Sequence, residues 1–444
     1  MTRRRVLVVG WKKPLLKKAK ELGVEVWYVQ HPELHQPETR EYADVTLLLD
    51  YTDQALLVPA VVALHSTHPF DAVVGIAEDA LLPVAELNST LGLRGPSRDT
   101  VRLLTDKWAM RGRLAERGVS PVRSAIGTSA ADLTAFGDRV GYPFIAKPIA
   151  GYGSYGIALV HGPAEAAAVS AGFQAVGSPA FLAEEFLDGP EVSAECFSFH
   201  GRHLVLAVTD KLVGDSFVEA GHAVPARLDA ATEAAVVILV RDFLDAVELT
   251  DGPSHIEVKL TPDGPRIIEG HNRRGGDRIN ELVELVYGID METLTVAWAL
   301  DLVPPLQEPP PLGRAAAVRF LAAQPGTLTE ITGTDVAERP DVVQLQINVT
   351  PGQRLGPVEW SDDRPGFVLT TGDTAAAAMA AGEHCAQRVV FHTRPEPAPQ
   401  APEPATANGP RRSLDQAELL GYRRPNGQQR EGSGHHAEQG PPAS

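Results

Sequence analysis

Residues 255–279, HIEVKLTPDGPRIIEGHNRRGGDRI, constrain the chain more than any other stretch. Polar and apolar residues alternate over His255–Leu260, Thr261–Pro265 carries Pro, Asp and Gly, and Arg266–Gly270 resumes as a second short strand. Such a hairpin brings Glu257 and Glu269 near its facing ends. Two carboxylates placed this way can share Mg²⁺, a hard cation that takes oxygen ligands and leaves room for substrate phosphates. Arg273 and Arg274 follow with phosphate-pairing guanidinium groups, and Gly275, Gly276 and Asp277 form a tight turn. The plainer alternative is a surface hairpin with scattered charge.

A chain of 444 residues exceeds one ordinary core, and its length implies about three domains. Hydrophobic content of 43% and charged content of 22% are those of a soluble globular protein. A formal charge of −17 argues against a nucleic-acid backbone as the main partner, though a local basic pocket can still take ATP. Cys196 and Cys385, the two cysteines, show no metal-binding spacing and point to a reduced compartment. The N-terminal apolar run is too short for a signal segment, and no apolar stretch reaches 18 residues. The expectation is a cytoplasmic protein with neither membrane nor nucleic-acid partner.

Arg5–Gly10, a helix over Pro14–Gly23 and Val24–Val29 make a βαβ unit, with further parallel strands at Asp44–Leu49 and Ala72–Gly75. A helix over Asp79–Leu91 stops at Gly92. Residues 1–104 therefore read as a Rossmann-like α/β domain. Gly10 is followed by Trp11, Lys12 and Lys13, so the dinucleotide turn is missing. Glu78–Asp79 falls at a strand's carboxyl end, a usual ligand position, although a helix N-terminus also favours acidic residues.

Thr105–Gly118 reads as a helix capped by Thr105 or Asp106 and ended by Gly118, with Lys107 and Arg111 on one face. Two solvated charges are the bland alternative. In Tyr142–Val160 the glycines at 151, 153 and 156 spell G-x-G-x-x-G between two strands, Pro143–Lys147 and Ile157–Val160. No helix opens after them. The loop is then a flap over phosphates, with Lys147 at its base, or a flexible hairpin without a ligand. Ala180–Phe199 gives two strands around Asp188–Gly189–Pro190. The strand end at Glu184–Leu187 offers backbone to an adenine edge and Glu191 can meet ribose hydroxyls; the alternative for Glu191, Ser193 and Glu195 is a half-exposed polar strand. Helices follow at Ala226–Leu249, Asn280–Tyr287 and Asp290–Leu302. Five prolines in Val303–Leu312 mark a boundary. Strands at Val342–Val349 and Phe367–Thr371 and a helix at Thr374–Cys385 form a small α+β lobe. Pro395–Ser444, including His435 and His436, reads as a disordered Pro-rich tail.

Lys107, the Lys147–Pro148 flap, the Glu184–Glu191 segment and the Glu257/Glu269 hairpin with Arg273, in that order, resemble the ATP-grasp superfamily of carboxylate–amine ligases. GHNRRGGDRI, PGTLTEITG (325–333) and TPGQRLGPV (350–358) look like its L-amino acid ligase type. The resemblance implies an α/β and α+β multidomain chain: a Rossmann-like domain (1–104), an ATP-grasp domain (105–308, lid about 121–190), a C-terminal lobe (309–395) and the tail (396–444). It implies that Lys107 and Lys147 bind nucleotide, that Ser154 lies in the lid, and that Glu184, Glu185 and Leu187 form the adenine hinge. Glu191 takes the ribose, Glu257 and Glu269 hold Mg²⁺, and Arg273 faces the phosphoryl group. The family has Glu-x-Asn-x-Arg; here His271 stands two after Glu269 and Asn272 one later. Either His271 replaces the metal ligand, which would admit Mn²⁺, or a local bulge lets Asn272 serve. His255 is a candidate base for the amine, beside the alternative of a polar strand residue, and Asp277 is a candidate partner for an ammonium.

The activity implied is ATP-dependent joining of a carboxylate to an amine, both foremost amino acids, with a biotin-carboxylase-like or purine-biosynthesis ligase as alternative. At most a second copy of the chain is expected as a protein partner, as a homodimer.

Overall fold

A computed structural model describes residues 3–10, 13–149, 156–175, 177–178, 180–213, 218–358 and 361–395. Ser154, Gly151, Gly153 and the tail from 396 lie outside the described residues. The first domain opens with β1 (Arg5–Val9), β2 (Glu25–Gln30), β3 (Val45–Leu48) and β4 (Ala72–Val74), all parallel in the order β3-β2-β1-β4. Both faces of this sheet are covered, which is why VLVV and VWYV run without alternation. The helix foreseen from Asp79 starts with a 3₁₀ turn at Glu78–Ala80 and continues as Leu81–Leu91, ended by Gly92 in the left-handed conformation. Gly10 (φ +84) has no room for a side chain, since a Cβ there would sit 2.8 Å from that of Ala80.

The second sheet holds β5 (Ser124–Gly127), β6 (Phe144–Pro148), β7 (Ala158–Val160) and β8 (Phe181–Glu185), in the order β5-β8-β6-β7. Helices Ala130–Val140 and Ala166–Ala175 pack on it through Leu133, Phe136 and Phe173.

The third sheet carries the site. Its first five strands in the chain are β9 (Glu191–Phe199), β10 (Arg202–Val213), β11 (Glu219–Val224), β12 (Gly252–Thr261) and β13 (Gly264–His271). The C-terminal stretch adds β14 (Ala315–Phe320), β15 (Gly326–Thr332), β16 (Val342–Ile347), β17 (Arg354–Leu355), β18 (Gly366–Gly372) and β19 (Val390–Arg394). Eight strands join as β13-β12-β9-β10-β11-β14-β18-β16, and β17-β15-β19 forms a small separate sheet. Strands β14, β16 and β18 thus extend the central sheet rather than build a layer of their own.

The half-exposed polar strand is not what β9 becomes. It lies inside the sheet between β12 and β10, and Ser193 and Glu195 are fully buried. On its other face Val192, Ala194 and Cys196 meet Val236, Val240, Phe243 and Leu244 of helix Ala230–Ala246. Their i, i+4, i+7, i+8 spacing gives that helix one apolar stripe, and each such side chain contributes about 1.5–3 kcal/mol on burial. One face of the sheet is therefore core and the other is free to hold charge.

Candidate active site

Strand β12 pairs with β13 on one side and β9 on the other. Glu257 stands opposite Glu269 and Ser193; His255 stands opposite His271 and Glu195. A bulge follows, because Val258 pairs with Ile267 and leaves Ile268 without an opposite residue. In a regular strand Ile267 and Glu269 would share a face. The bulge turns Ile267 into the core, where it is fully buried, and Glu269 toward Glu257.

The carbonyls displaced by the bulge are met from another element. Arg111 donates from Nη1 to the Ile267 carbonyl (2.8 Å), from Nη2 to that of Ile268 (2.9 Å) and from Nε to Glu184 (2.5 Å). Ser120 Oγ accepts from the Ile267 amide at 2.7 Å. Neither charge on helix Lys107–Arg117 is solvated, contrary to the bland alternative. The Arg111 side chain is 3% exposed, and Lys107 Nζ lies 3.0 Å from Glu269 Oε2. Asp106 caps this helix and Gly118 ends it.

Lys147 sits on β6 opposite Leu182 and its Nζ is 2.6 Å from Glu184 Oε2. Burial would raise the Glu184 carboxyl, but Arg111 and Lys147 hold it down at about 2. Its carboxylate is thus occupied inside the second sheet, and only its backbone is available to a hinge. Glu185 is bound by Arg123, while Phe186 and Leu187 lie outside any strand. Glu191 binds Lys211 (2.5 Å) and Lys259 (3.4 Å).

Lys211 has no counterpart among the residues expected from the sequence. Its side chain is 2% exposed and its Nζ also meets Glu257 (2.8 Å) and Glu219 (3.3 Å). Burial alone would depress its pKa; Glu257, Glu191 and Glu219 raise it well above the ordinary value. Two like charges facing each other at Glu257 and Glu269 are held ionised by flanking cations. Burial raises both carboxyls, and Lys211 on one side and Lys107 on the other bring them well below the usual range. In the sequence Lys211 is only a lysine three residues beyond the apolar run Leu204–Val208, and nothing there marks its partners.

His255 does not suit the role of base. Its Nδ1 lies 2.9 and 3.0 Å from the two Glu195 oxygens and its Nε2 3.4 Å from Glu257. Burial disfavours the imidazolium, yet Glu195 and Glu257 raise its pKa to about 9. With both ring nitrogens facing carboxylates, it offers no free nitrogen to take a proton from an amine. Gly275 allows this packing, because a Cβ there would lie 2.8 Å from Glu195 Oε2.

At the end of β13 the first domain enters. Glu78 accepts from Arg273 Nε (2.5 Å) and lies 3.2 Å from His271 Nδ1; His271 Nε2 lies 3.1 Å from Glu269. Burial is outweighed by Arg273 and His271, and the Glu78 carboxyl falls to about 2. Glu78 is therefore engaged by side chains from the end of β13, whereas Asp79 accepts from Tyr51 Oη at 2.6 Å.

The donor set fits Mg²⁺. Glu257 and Glu269 supply two hard carboxylates, and the buried Asn272 Oδ1 has no hydrogen-bond partner among the described residues. Both His271 nitrogens face carboxylates instead. Asn272 is thus the better third ligand of the two alternatives. Among the described residues no three His, Cys, Asp or Glu side chains converge on one point as a metal cage. Asp277 is bound by Arg364 Nη2 at 2.8 Å, so it is not an unengaged ammonium partner.

Fold and site together define an ATP-dependent carbon–nitrogen ligase. Three family models match the chain: ATP-grasp N-terminal domain at 16–95, ATP-grasp domain at 140–281, and L-amino acid ligase C-terminal domain 2 at 319–394. The chain belongs to the ATP-grasp superfamily, and its C-terminal part is of the L-amino acid ligase kind. It is 25% identical over 58% of its length to an L-arginine-specific L-amino acid ligase of Bacillus subtilis, spanning 64% of that protein. It is 30% identical to carnosine synthase 1 of Gallus gallus over 42% of its length, spanning 22% of that chain. The crystal structure of an L-amino acid ligase from Bacillus licheniformis superposes with a TM-score of 0.76 at 24% identity, covering 89% of this chain and 100% of that one. Phosphoribosylglycinamide synthetase of Anaerococcus prevotii shares the fold, with a TM-score of 0.68 at 19% identity and coverage of 88% and 100%. No helix among the described residues is long and apolar enough to cross a membrane.

Proposed function

We propose that the protein joins the carboxylate of one amino acid to the amine of a second substrate, forming a dipeptide and releasing ADP and phosphate. The observation that carries this reading is the facing Glu257/Glu269 pair, flanked by Lys107 and Lys211, with the Asn272 oxygen open among the described residues. Mg²⁺ on that donor set would neutralise the phosphate oxygens of ATP. Lys107 and Lys147 stand where they can exchange their carboxylate partners for phosphate. Arg273 presents the guanidinium to the transferring phosphoryl group and to the acid substrate.

The reaction balances in two steps. An oxygen of the substrate carboxylate attacks the γ-phosphorus, and the bond to the ADP oxygen breaks, giving an acyl phosphate. The amine nitrogen then attacks the acyl carbon, the carbon–oxygen bond to phosphate breaks, and the amine loses a proton. Charge neutralisation and alignment supply most of the acceleration. The purine-pathway alternative needs a basic phosphate cluster in the first domain. Lys13 there lies 5.9 Å from the ring of Tyr42, and Lys12 is outside the described residues.

The test is amino-acid-dependent phosphate release from ATP, with products weighed by mass spectrometry. Release that needs two amino acids, with a product mass equal to their sum less water, supports the reading. Release triggered by bicarbonate or a phosphorylated ribonucleotide alone overturns it.

A further inference from the structure

One buried ammonium ties together three carboxylates from different strands of the site. Lys211 stands on β10, between β9 and β11, with β12 beyond β9. Glu191 opens β9, Glu219 opens β11 and Glu257 lies on β12. Lys211 Nζ lies 2.5 Å from Glu191 Oε1, 2.8 Å from Glu257 Oε1 and 3.3 Å from Glu219 Oε1. An ammonium carries three N–H donors and no acceptor, so three carboxylates use all of them. The lysine is enclosed, whereas the side chains of Glu191, Glu219 and Glu257 are 13%, 13% and 18% exposed. A ligand in the cleft therefore reaches the acids and not the cation that holds them.

The oxygens of these acids are not used alike. Lys211 donates to Glu257 Oε1, and His255 Nε2 lies 3.4 Å from the same atom. Both contacts fall on one oxygen, and the other is left to a cation. Glu191 is held at both oxygens, Oε1 by Lys211 and Oε2 by Lys259 at 3.4 Å. It stands opposite Lys259, two residues along β12 from Glu257. Residues two apart on a strand share a face, about 7 Å from each other. The acid expected to take ribose and the acid expected to take Mg²⁺ thus sit side by side on one counter-charge.

We propose that Lys211 is a positioning residue that sets Glu191 for the ribose hydroxyls and Glu257 for Mg²⁺ in one frame, so that nucleotide and metal recognition depend on the same ammonium. The inference rests on the use of ATP in the reading above and adds a residue and a coupling to it. Without the ammonium the three like charges repel one another, and both binding acids leave their places together. Glu219 takes the third donor and enters neither contact.

The test measures binding rather than turnover, by calorimetry on the full chain. The ligands are ADP and 2′,3′-dideoxy-ADP, which lacks both ribose hydroxyls, each with and without Mg²⁺. No binding of ADP under either condition overturns the ATP-dependent reading, and this inference falls with it. The unaltered chain is expected to prefer ADP over the dideoxy form about tenfold or more, and Mg²⁺ to tighten ADP about tenfold or more. The absence of either effect overturns the inference. Glu191→Gln should lose the ribose preference alone and Glu257→Gln the Mg²⁺ effect alone, since Lys211 still holds the other acid; a full ribose preference in Glu191→Gln overturns it too. Lys211→Met should lower both ratios to about threefold or less. The decisive variant combines Lys211→Met with Glu219→Gln, which removes one positive and one negative charge and so takes away the frame at constant net charge. Both ratios should collapse there as well, while Glu219→Gln by itself keeps both. A double variant that keeps either ratio makes Lys211 a counter-charge only. Should neither lysine variant fold, Lys211→Arg decides, since it keeps the charge but spreads its donors over a planar fork. Both of its ratios should fall at least about threefold, and an unchanged ratio overturns the inference.

Discussion

At the level of single residues, the site is a set of acids each held ionised by a chosen cation. Glu269→Ala removes one of the two facing carboxylates proposed to hold Mg²⁺. Phosphate release should fall about a thousandfold, equal to roughly 4 kcal/mol of lost transition-state stabilisation; normal turnover would show that the ligand assignment is wrong. His271 and Asn272 separate by the same assay. With Mg²⁺ varied, Asn272→Ala should raise the concentration needed for half-maximal activity about tenfold or more, and His271→Asn much less. The reverse order would make His271 the ligand. His255 has a pH signature. Its pKa rises on folding from 6.5 to about 9, so its contribution to stability is complete below 6.5 and lost as pH climbs through about 9. In metal-free buffer, the difference in thermal midpoint between the unaltered chain and His255→Gln should shrink across that window. A constant difference would mean that the imidazole is neutral.

Among the elements, the bulged hairpin matters most. Its residue types were legible: two acids, a turn and two arginines already implied a metal and phosphate chemistry. The bulge was not, because IIEG shows no glycine or proline signal at the extra residue, Ile268. It depends on Arg111, brought from a helix more than a hundred residues earlier to satisfy the freed carbonyls. Arg111→Met should therefore cost about 3 kcal/mol of stability, because the bulge carbonyls lose their donor and Glu184 loses one of two cations. Chemical denaturation measures this, and a loss below about 1 kcal/mol would mean that the bulge holds itself. Strand β10 escaped the pattern for a different reason. It is buried on most of its length, so Leu204–Val208 gives a continuous apolar run that alternation does not identify.

For the molecule as a whole, the site is assembled from parts that are distant in sequence. Glu78 comes from the first domain, Lys107 and Lys147 from the helix and the second sheet, and the facing Glu257 and Glu269 from the central sheet. Glu78→Gln should lower kcat/KM for the acid substrate about tenfold or more, by removing the charge that aligns Arg273 across the domain boundary. Steady-state phosphate release reports it; an unchanged value would leave Glu78 with a purely structural part. A second fastening supports the same boundary, where Lys18 binds Asp290 (2.8 Å) and Glu292 (2.9 Å) and Arg274 also meets Glu292.

The sequence by itself determined the kinds of element and the chemistry they carry. Hydrophobic period, turn residues and caps are local, so the βαβ start, a cap at Thr105 or Asp106 and the Glu257/Glu269 hairpin could be read from neighbours a few residues apart. Only the tertiary structure decided which charges meet. Lys211 with three glutamates, Glu195 with His255, Glu78 with Arg273 and Arg364 with Asp277 all join residues from different strands or domains. Nothing local marks such pairs, because an isolated lysine or glutamate in a sequence looks the same whether it is solvated or buried. Burial makes the pairing obligatory, since a charge withdrawn from water must find its partner wherever the fold brings one.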